Sequence, residues 1–206
     1  MFTYYADNFR ITLASSSPRR KMLLEQAGVE FDIKTVDIDE AFDESIIRRQ
    51  GLDTAIEDLA MRKADASRRG LDEQDKKRRL LIAADTIVCL GERIFGKPVD
   101  EGAAFLMLKS IAGRAHMVKT GVCLMEAGSG KFLCGTETTL VHIAALSDDE
   151  IRDYIATGEP MDKAGAYAAQ GLGARFVRRI EGCYYNVVGL PLGLTFDLIR
   201  DITLLQ

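Results

Sequence analysis

The chain has 206 residues, 47% hydrophobic and 28% charged, with a formal net charge of -4. That is enough for one globular domain with a sizeable core. The acidic balance excludes a general nucleic-acid surface, so any cationic site must be local. No apolar run is long enough to span a bilayer, and Met1 to Arg10 lacks the apolar core of an export signal. Cys89, Cys123, Cys134 and Cys183 form no CxxC pair. They read as buried thiols of a reducing compartment rather than a zinc site or disulfide frame. A cytoplasmic protein is expected.

Ile11 to Ala14 reads as a short apolar strand running into Ser15, Ser16 and Ser17. Pro18 then suits the first position of a helix, with Ser17 as N-cap and Gly28 as stop. Arg19, Arg20 and Lys21 fill its first turn, the end that already carries partial positive charge. Cations there make sense if an anion occupies the gap. Free N–H groups, serine hydroxyls and two guanidinium forks together suit a phosphate chain. The plainer alternative is a strand-turn-helix whose arginines face solvent or pair with distant acids.

Phe31 to Val36 alternates like a strand. Asp37 to Glu40, with Asp43 and Glu44 nearby, reads first as an acidic loop and second as a source of carboxylates for a divalent cation. Asp53 is expected to cap a helix reaching about Ser67, with Ile56, Leu59, Ala60 and Lys63 on one face. A lysine on that face either snorkels past the core edge, the commoner case, or reaches into a site. Arg68 to Arg79 alternates in charge and reads as a solvated loop.

Leu80 to Leu90 is the most apolar stretch and reads as a central strand buried on both faces. Asp85 interrupts it, and an ionised carboxylate in such a run is costly unless paired, hydrogen-bonded or metal-bound. Gly91-Glu92 marks a turn. Gly96-Lys97-Pro98 sets a lysine between two backbone punctuators. Gly91 lies five residues before Gly96, but Pro98 follows Lys97 where a P-loop needs Ser or Thr, so the P-loop pattern is incomplete. Lys97 can still meet phosphate as a point charge. A helix should open at Asp100 or Glu101, end near Ile111 and close at Gly113.

His116 to Leu124 and Lys131 to Ala144 read as an antiparallel hairpin turning at Gly128-Ser129-Gly130. His116 and His142 lack ligand spacing and are expected to be structural. Ser147 to Glu150 forms a capping box for a helix ending near Thr157. Glu159 to Gly171 is rich in small residues, which let backbone approach a ligand closely. Asp162, Lys163, Tyr167 and Gln170 supply its polar groups. Phe176 to Glu181 reads as a strand, and Tyr184 to Pro191 as a turn into a final helix carrying Leu194, Leu198 and Ile202. Strands and helices alternate around one inserted hairpin, which argues for a mixed α/β domain.

Three separated segments together resemble the Maf family of nucleoside triphosphate pyrophosphatases. The first is Leu13-Ala14-Ser15-Ser16-Ser17-Pro18-Arg19-Arg20. The second is Ala84-Asp85-Thr86-Ile87-Val88 with Gly96-Lys97-Pro98, Gly113-Arg114-Ala115-His116 and Thr120-Gly121-Val122. The third is Glu159-Pro160-Met161-Asp162-Lys163-Ala164-Gly165-Ala166-Tyr167 through Gln170-Gly171, then Ile180-Glu181-Gly182 and Asn186 to Pro191. The match follows chain order over nearly the whole length as a single domain.

The resemblance implies an α/β fold similar to that of inosine triphosphatase (Maf/Ham1): an elongated mixed sheet flanked by helices, in two lobes around a cleft. It implies hydrolysis of a nucleoside triphosphate to the monophosphate and pyrophosphate with a divalent metal, Mg²⁺ or Mn²⁺. By matching positions Asp85 resembles the general base, and Arg19, Thr86 and Gln170 the substrate-selecting residues. Glu40, Lys63 and Lys97 resemble further cleft residues. Ser15 and Arg20 belong with them as phosphate ligands, and Glu40 and Asp85 as metal ligands; Asp85 is left open between base and ligand. The Asp162-Lys163-Ala164-Gly165-Ala166-Tyr167 wording is similar to the branch acting on dTTP and UTP, although Ala168-Ala169 stands where that branch often has Gly-Ile. Alternatives are 7-methyl-GTP hydrolysis and a non-catalytic nucleotide-binding regulator of cell division. A homodimer is left open, and neither nucleic acid nor membrane is expected as a partner.

Overall fold

The computed structural model describes residues 9–42 and 44–204. Residues 1–8, where no export signal is expected, and Asp43 of the acidic stretch lie outside the described residues. The elements are β1 (Arg10–Leu13), α1 (Pro18–Gln26), β2 (Phe31–Ile33), α2 (Glu44–Gln50), α3 (Leu52–Arg69), β3 (Arg79–Leu90), β4 (Arg93–Phe95), α4 (Glu101–Ile111), β5 (Ala115–Glu126), β6 (Phe132–Ile143), α5 (Asp148–Ala156), β7 (Val177–Glu181), α6 (Tyr184–Val188) and α7 (Leu192–Leu204). Short 3₁₀ turns occupy Glu159–Asp162, Ala164–Ala166 and Gly171–Phe176.

Among the described residues the strands form a seven-stranded sheet in the order β2-β1-β3-β5-β6-β7, with β4 also paired to β3. β1 runs parallel to β2 and β3, whereas β3–β4 and β6–β7 are antiparallel. The mixed α/β class and the central β3 therefore stand. Leu80 to Ala84 on β3 are fully buried, as expected of a strand covered on both faces. Among the described residues no helix is long and apolar enough to cross a membrane.

Several local expectations are corrected. Ser17 occupies the N-cap of α1 in extended conformation, but its side chain makes no cap bond. Its backbone N–H donates instead to Ser15 Oγ at 3.2 Å. Asp53 does not cap α3. Gly51, at φ +87°, takes that position in a conformation that favours glycine, and Asp53 lies in the first turn. β2 stops at Ile33, three residues short of Val36. The span Arg68 to Arg79 is not all solvated loop. Arg68 and Arg69 end α3, and Arg79 is buried on β3, donating to Thr12 Oγ1 at 2.6 Å and to Asp32 at 3.2 Å. α2 and α6 form where no helix was expected; each is under two turns and carries too little periodicity to declare itself.

The chain divides into two compact units. One comprises Met1–Asp85, Thr120–Glu137 and Gly189–Gln206; the other comprises Thr86–Lys119 and Thr138–Val188. In the first, a cluster rich in small residues includes Ala14, Ala60, Ala64, Leu81, Ala83 and Cys123. A side chain at Gly121 of β5 would place its Cβ 2.6 Å from Ile56 Cγ2, so α3 can lie against β5 only because that position is glycine. In the second, the cluster is larger-grained: Phe95, Leu108, Ile111, Val118, Val141, Ile151, Tyr154, Tyr167 and Phe176. All four cysteines are free thiols, Cys89 and Cys123 buried and Cys134 and Cys183 half-buried. Cys123 and Cys134 meet on neighbouring strands; the hydrogen bond between them, then burial, pushes the Cys123 thiol far up.

Candidate active site

In the first unit the charged residues singled out from the sequence converge. α3 presents Ile56, Leu59 and Ala60 to the core, all buried, and Lys63 continues that face at 8% exposure. Lys63 does not snorkel. Its Nζ lies 2.7 Å from Asp85 Oδ1 and 2.7 Å from Glu40 Oε1. The acidic stretch is thus more than a solvated loop. Arg62, the residue before Lys63, pins it by donating to the carbonyls of Asp39 at 2.9 Å and Ala41 at 3.0 Å. Its Nε also pairs with Asp58 on α3 at 2.9 Å. One turn of helix therefore both anchors the loop and meets the carboxylate that the loop carries.

Arg20 comes to the same place from α1. It is buried, and its Nε donates to the Gly189 carbonyl at 2.9 Å while Nη1 donates to Ser15 Oγ at 3.1 Å. Burial lowers its pKa, Asp85 opposes that, Arg19 adds to it, and Glu40 opposes it again. The guanidinium stays charged across any working pH. Of the three cations opening α1, Arg20 turns inward and Arg19 is half-buried, while Lys21 pairs with Glu25 at 3.6 Å on the exposed side. A strand end, a serine, a buried arginine, a buried lysine and two carboxylates are an arrangement that can bind an anion and hold a water or a hard cation beside it.

The second unit holds the other three expected site residues. Thr86 follows Asp85 along β3 and is half-buried, Lys97 is exposed, and Gln170 is half-buried. The segments bearing Lys97 and Gln170 are tied together, since the Gly165 N–H donates to the Gly96 carbonyl at 3.1 Å. Gly165 has φ +69°, and a Cβ there would sit 2.9 Å from Val88 Cγ1, so the small residue seats this segment on β3. The remaining polar groups of Glu159 to Gly171 are internal. Lys163 pairs with Asp162 and bonds the Glu159 carbonyl at 2.8 Å. Tyr167 is buried, its hydroxyl 2.9 Å from His116 Nε2.

A family model of Maf-like proteins matches residues 10–202. The chain belongs to the Maf family. A relative from Caldicellulosiruptor bescii, named a dTTP/UTP pyrophosphatase, is 48% identical over 183 residues, 89% of each chain. One from Acetivibrio thermocellus with the same name is 45% identical over 194 residues, covering 93% of this chain and 94% of its own. A third, from Bdellovibrio bacteriovorus and again so named, is 43% identical over 189 residues, covering 92% and 96%.

Three features of the two units were not visible in the sequence. The Gly189 carbonyl that fixes Arg20 lies 169 positions away. Arg62 had no signal beyond standing next to Lys63. Glu159 looked like an ordinary acidic residue before a proline, yet its carboxylate gathers three donors, described below.

Proposed function

We propose that this chain hydrolyses dTTP and UTP at the α–β phosphoanhydride, releasing the nucleoside monophosphate and pyrophosphate. The observation that carries the reading is the Asp85 carboxylate. It sits on an apolar strand, engaged by the buried Lys63 ammonium with the buried Arg20 guanidinium close by. The names of relatives 43–48% identical supply the substrate class.

In this reading Ser15, Arg19 and Arg20 hold phosphate oxygens through charge-assisted hydrogen bonds. Asp85 accepts a proton from a water whose oxygen attacks the α-phosphorus; the bond from that phosphorus to the bridging oxygen breaks, and pyrophosphate leaves with the electron pair. Lys63 holds Asp85 through Oδ1, which orients the carboxylate for that transfer. The residues present fit a divalent cation of the Mg²⁺ or Mn²⁺ kind. Asp85 and Glu40 both lie 2.7 Å from Lys63 Nζ, which brings their carboxylates near each other; these two would hold the cation, with substrate phosphates supplying the remaining oxygens. Among the described residues no cluster of three or more His, Cys, Asp or Glu forms a complete cage. When bound, such a cation offsets charge on the leaving pyrophosphate.

Lys97 is proposed as a further phosphate contact, and Thr86 and Gln170 as selectors of the base. The Gln170 amide offers a donor and an acceptor together, matching the N–H flanked by carbonyls of thymine and uracil, a pattern cytosine lacks. Free thiols and a nucleotide substrate support a cytoplasmic setting.

The test is pyrophosphate release from dTTP, UTP, dCTP and ATP with Mg²⁺ or Mn²⁺ and no acceptor. dTTP and UTP should be cleaved well ahead of the others, one pyrophosphate per monophosphate. Binding without release overturns the enzymatic reading, and equal rates across the four overturn the base selectivity.

A further inference from the structure

Gln170 lies in a segment fixed on both sides by one carboxylate. Glu159 Oε2 accepts the Leu172 N–H at 2.9 Å, and Oε1 accepts the Gly173 N–H at 2.9 Å and the Tyr154 hydroxyl at 2.8 Å. The Tyr154 oxygen in turn accepts the Ala168 N–H at 3.2 Å. The backbone two residues before Gln170 and two and three residues after it is thus tied to a single hub.

The neighbouring glycines are shaped around that hub. A Cβ at Gly171, which has φ +78°, would sit 2.6 Å from Glu159 Oε2. One at Gly173 would sit 2.6 Å from the Tyr154 hydroxyl oxygen and 2.7 Å from the Ala168 carbonyl. Tyr154 cannot drift, being 1% exposed with its ring edge-on to Phe176 at 5.0 Å.

We propose that Glu159 is a positioning residue for base selection: through Tyr154 and the N–H groups of Ala168, Leu172 and Gly173 it holds Gln170 in the pose from which its amide reads a pyrimidine ring. This rests on the base-reading role of Gln170 given above. The hub must be a carboxylate because both of its oxygens face donors. A glutamine would turn an NH₂ group toward one of them. Burial pushes the Glu159 pKa up, but the two backbone N–H bonds and the Tyr154 hydroxyl outweigh it and hold it below the usual range.

The experiment measures kcat and KM for dTTP and dCTP in the full chain carrying Glu159→Gln, Gln170→Ala, or both, with Tyr154→Phe as a milder cut in the same hub. Thermal melts run alongside; if Glu159→Gln does not fold, Tyr154→Phe carries the test. Misplacing a group that contacts substrate costs up to about 100-fold, so kcat/KM for dTTP should fall about 10- to 100-fold in Glu159→Gln. KM should rise more than kcat falls, and the preference over dCTP should shrink. In the double variant the preference should fall no further than in Gln170→Ala alone, the mark of residues acting as a unit. Loss of preference in Gln170→Ala with parental preference in folded Glu159→Gln overturns this inference and leaves the Gln170 reading intact. Parental preference in Gln170→Ala overturns that reading, and this inference with it.

Discussion

The Lys63 cluster and the Glu159 hub are both built around a carboxylate, yet they spend it in opposite ways. Around Asp85 the partners are charged side chains: a lysine bonded to one oxygen, a second acid on the same lysine, and an arginine near enough to feel both. Around Glu159 the partners are backbone N–H groups and a phenol, and both oxygens are engaged. Ammonium and guanidinium groups can be drawn to an incoming phosphate, so the first cluster is able to exchange partners. Backbone amides cannot leave, so the second is fixed. On the proposed reading, chemistry belongs with the exchangeable carboxylate and shape with the satisfied one.

The sharpest way to break that contrast is Asp85→Asn, which keeps the volume and removes the charge. A positioned base is worth about 10²–10⁴-fold in rate, so kcat for dTTP should fall by that amount. The melting temperature should fall only slightly, because the buried Lys63 loses the charge of one carboxylate partner but keeps Glu40. Steady-state pyrophosphate release and a thermal melt on the same preparation check both halves. Parental turnover in Asp85→Asn would place the chemistry elsewhere.

Lys63→Met comes next. Methionine keeps the apolar stem on the α3 face and deletes the charge that holds Asp85 and Glu40. Orientation of the base is lost while the base remains, so the rate should fall less than in Asp85→Asn, about 10- to 100-fold. Breaking a fully buried ion pair costs about 3–5 kcal/mol. Here Glu40 is 59% exposed and regains water easily, so a loss nearer about 1–2 kcal/mol is expected, after discounting for that exposure. Denaturant unfolding with and without added Mg²⁺ measures it. A variant that loses stability while keeping full turnover would make Lys63 a packing residue.

The sequence carried the two units unevenly. Asp85 was legible because a charge inside Leu80 to Leu90 is conspicuous, and Arg20 because a cation at a helix start is electrostatically misplaced. Lys63 and Glu40 each read toward the bland alternative on their local pattern, and only the family resemblance put them in the site, since neither reveals the other across 23 positions of chain. Their meeting depends on Arg62 drawing the acidic stretch onto α3 and on Gly121 letting α3 lie close to β5. Glu159 was passed over because its partners are backbone groups, which have no letter in a sequence. Side-chain chemistry was therefore readable and main-chain chemistry was not. Arg79 was missed for another reason: the residues before it are charged, and only the pairing of β1, β2 and β3 takes it inside, against Thr12 and Asp32.

The smallest effect on turnover is expected at His116, and it tests whether the second unit is fixed by neutral hydrogen bonds. His116 is 2% exposed, its Nε2 meets Tyr167, and its Nδ1 has no hydrogen-bond partner among the described residues. Burial, and then the nearby His142, push its pKa down to about 4. In the unfolded chain a histidine takes its proton near pH 6.5. Between those values the unfolded state binds a proton that the folded state refuses, so stability is lost as pH falls from about 6.5 to about 4. At about 1.4 kcal/mol per pKa unit the loss is at most about 3.5 kcal/mol. The hydrogen-bonded carboxylates Asp148, Glu150 and Glu159 have lowered pKa values and lose their contribution at the acid end, below the usual carboxylate range. His116→Gln keeps a partner for the Tyr167 hydroxyl and has no proton to gain. Its unfolding free energy should therefore be nearly flat from pH 6.5 to 4.5 where the parent declines, with turnover at neutral pH within about twofold of the parent. Parallel pH profiles for the two proteins would show that His116 is charged when folded, and the second unit would then need a buried counter-charge rather than neutral bonds to hold its shape.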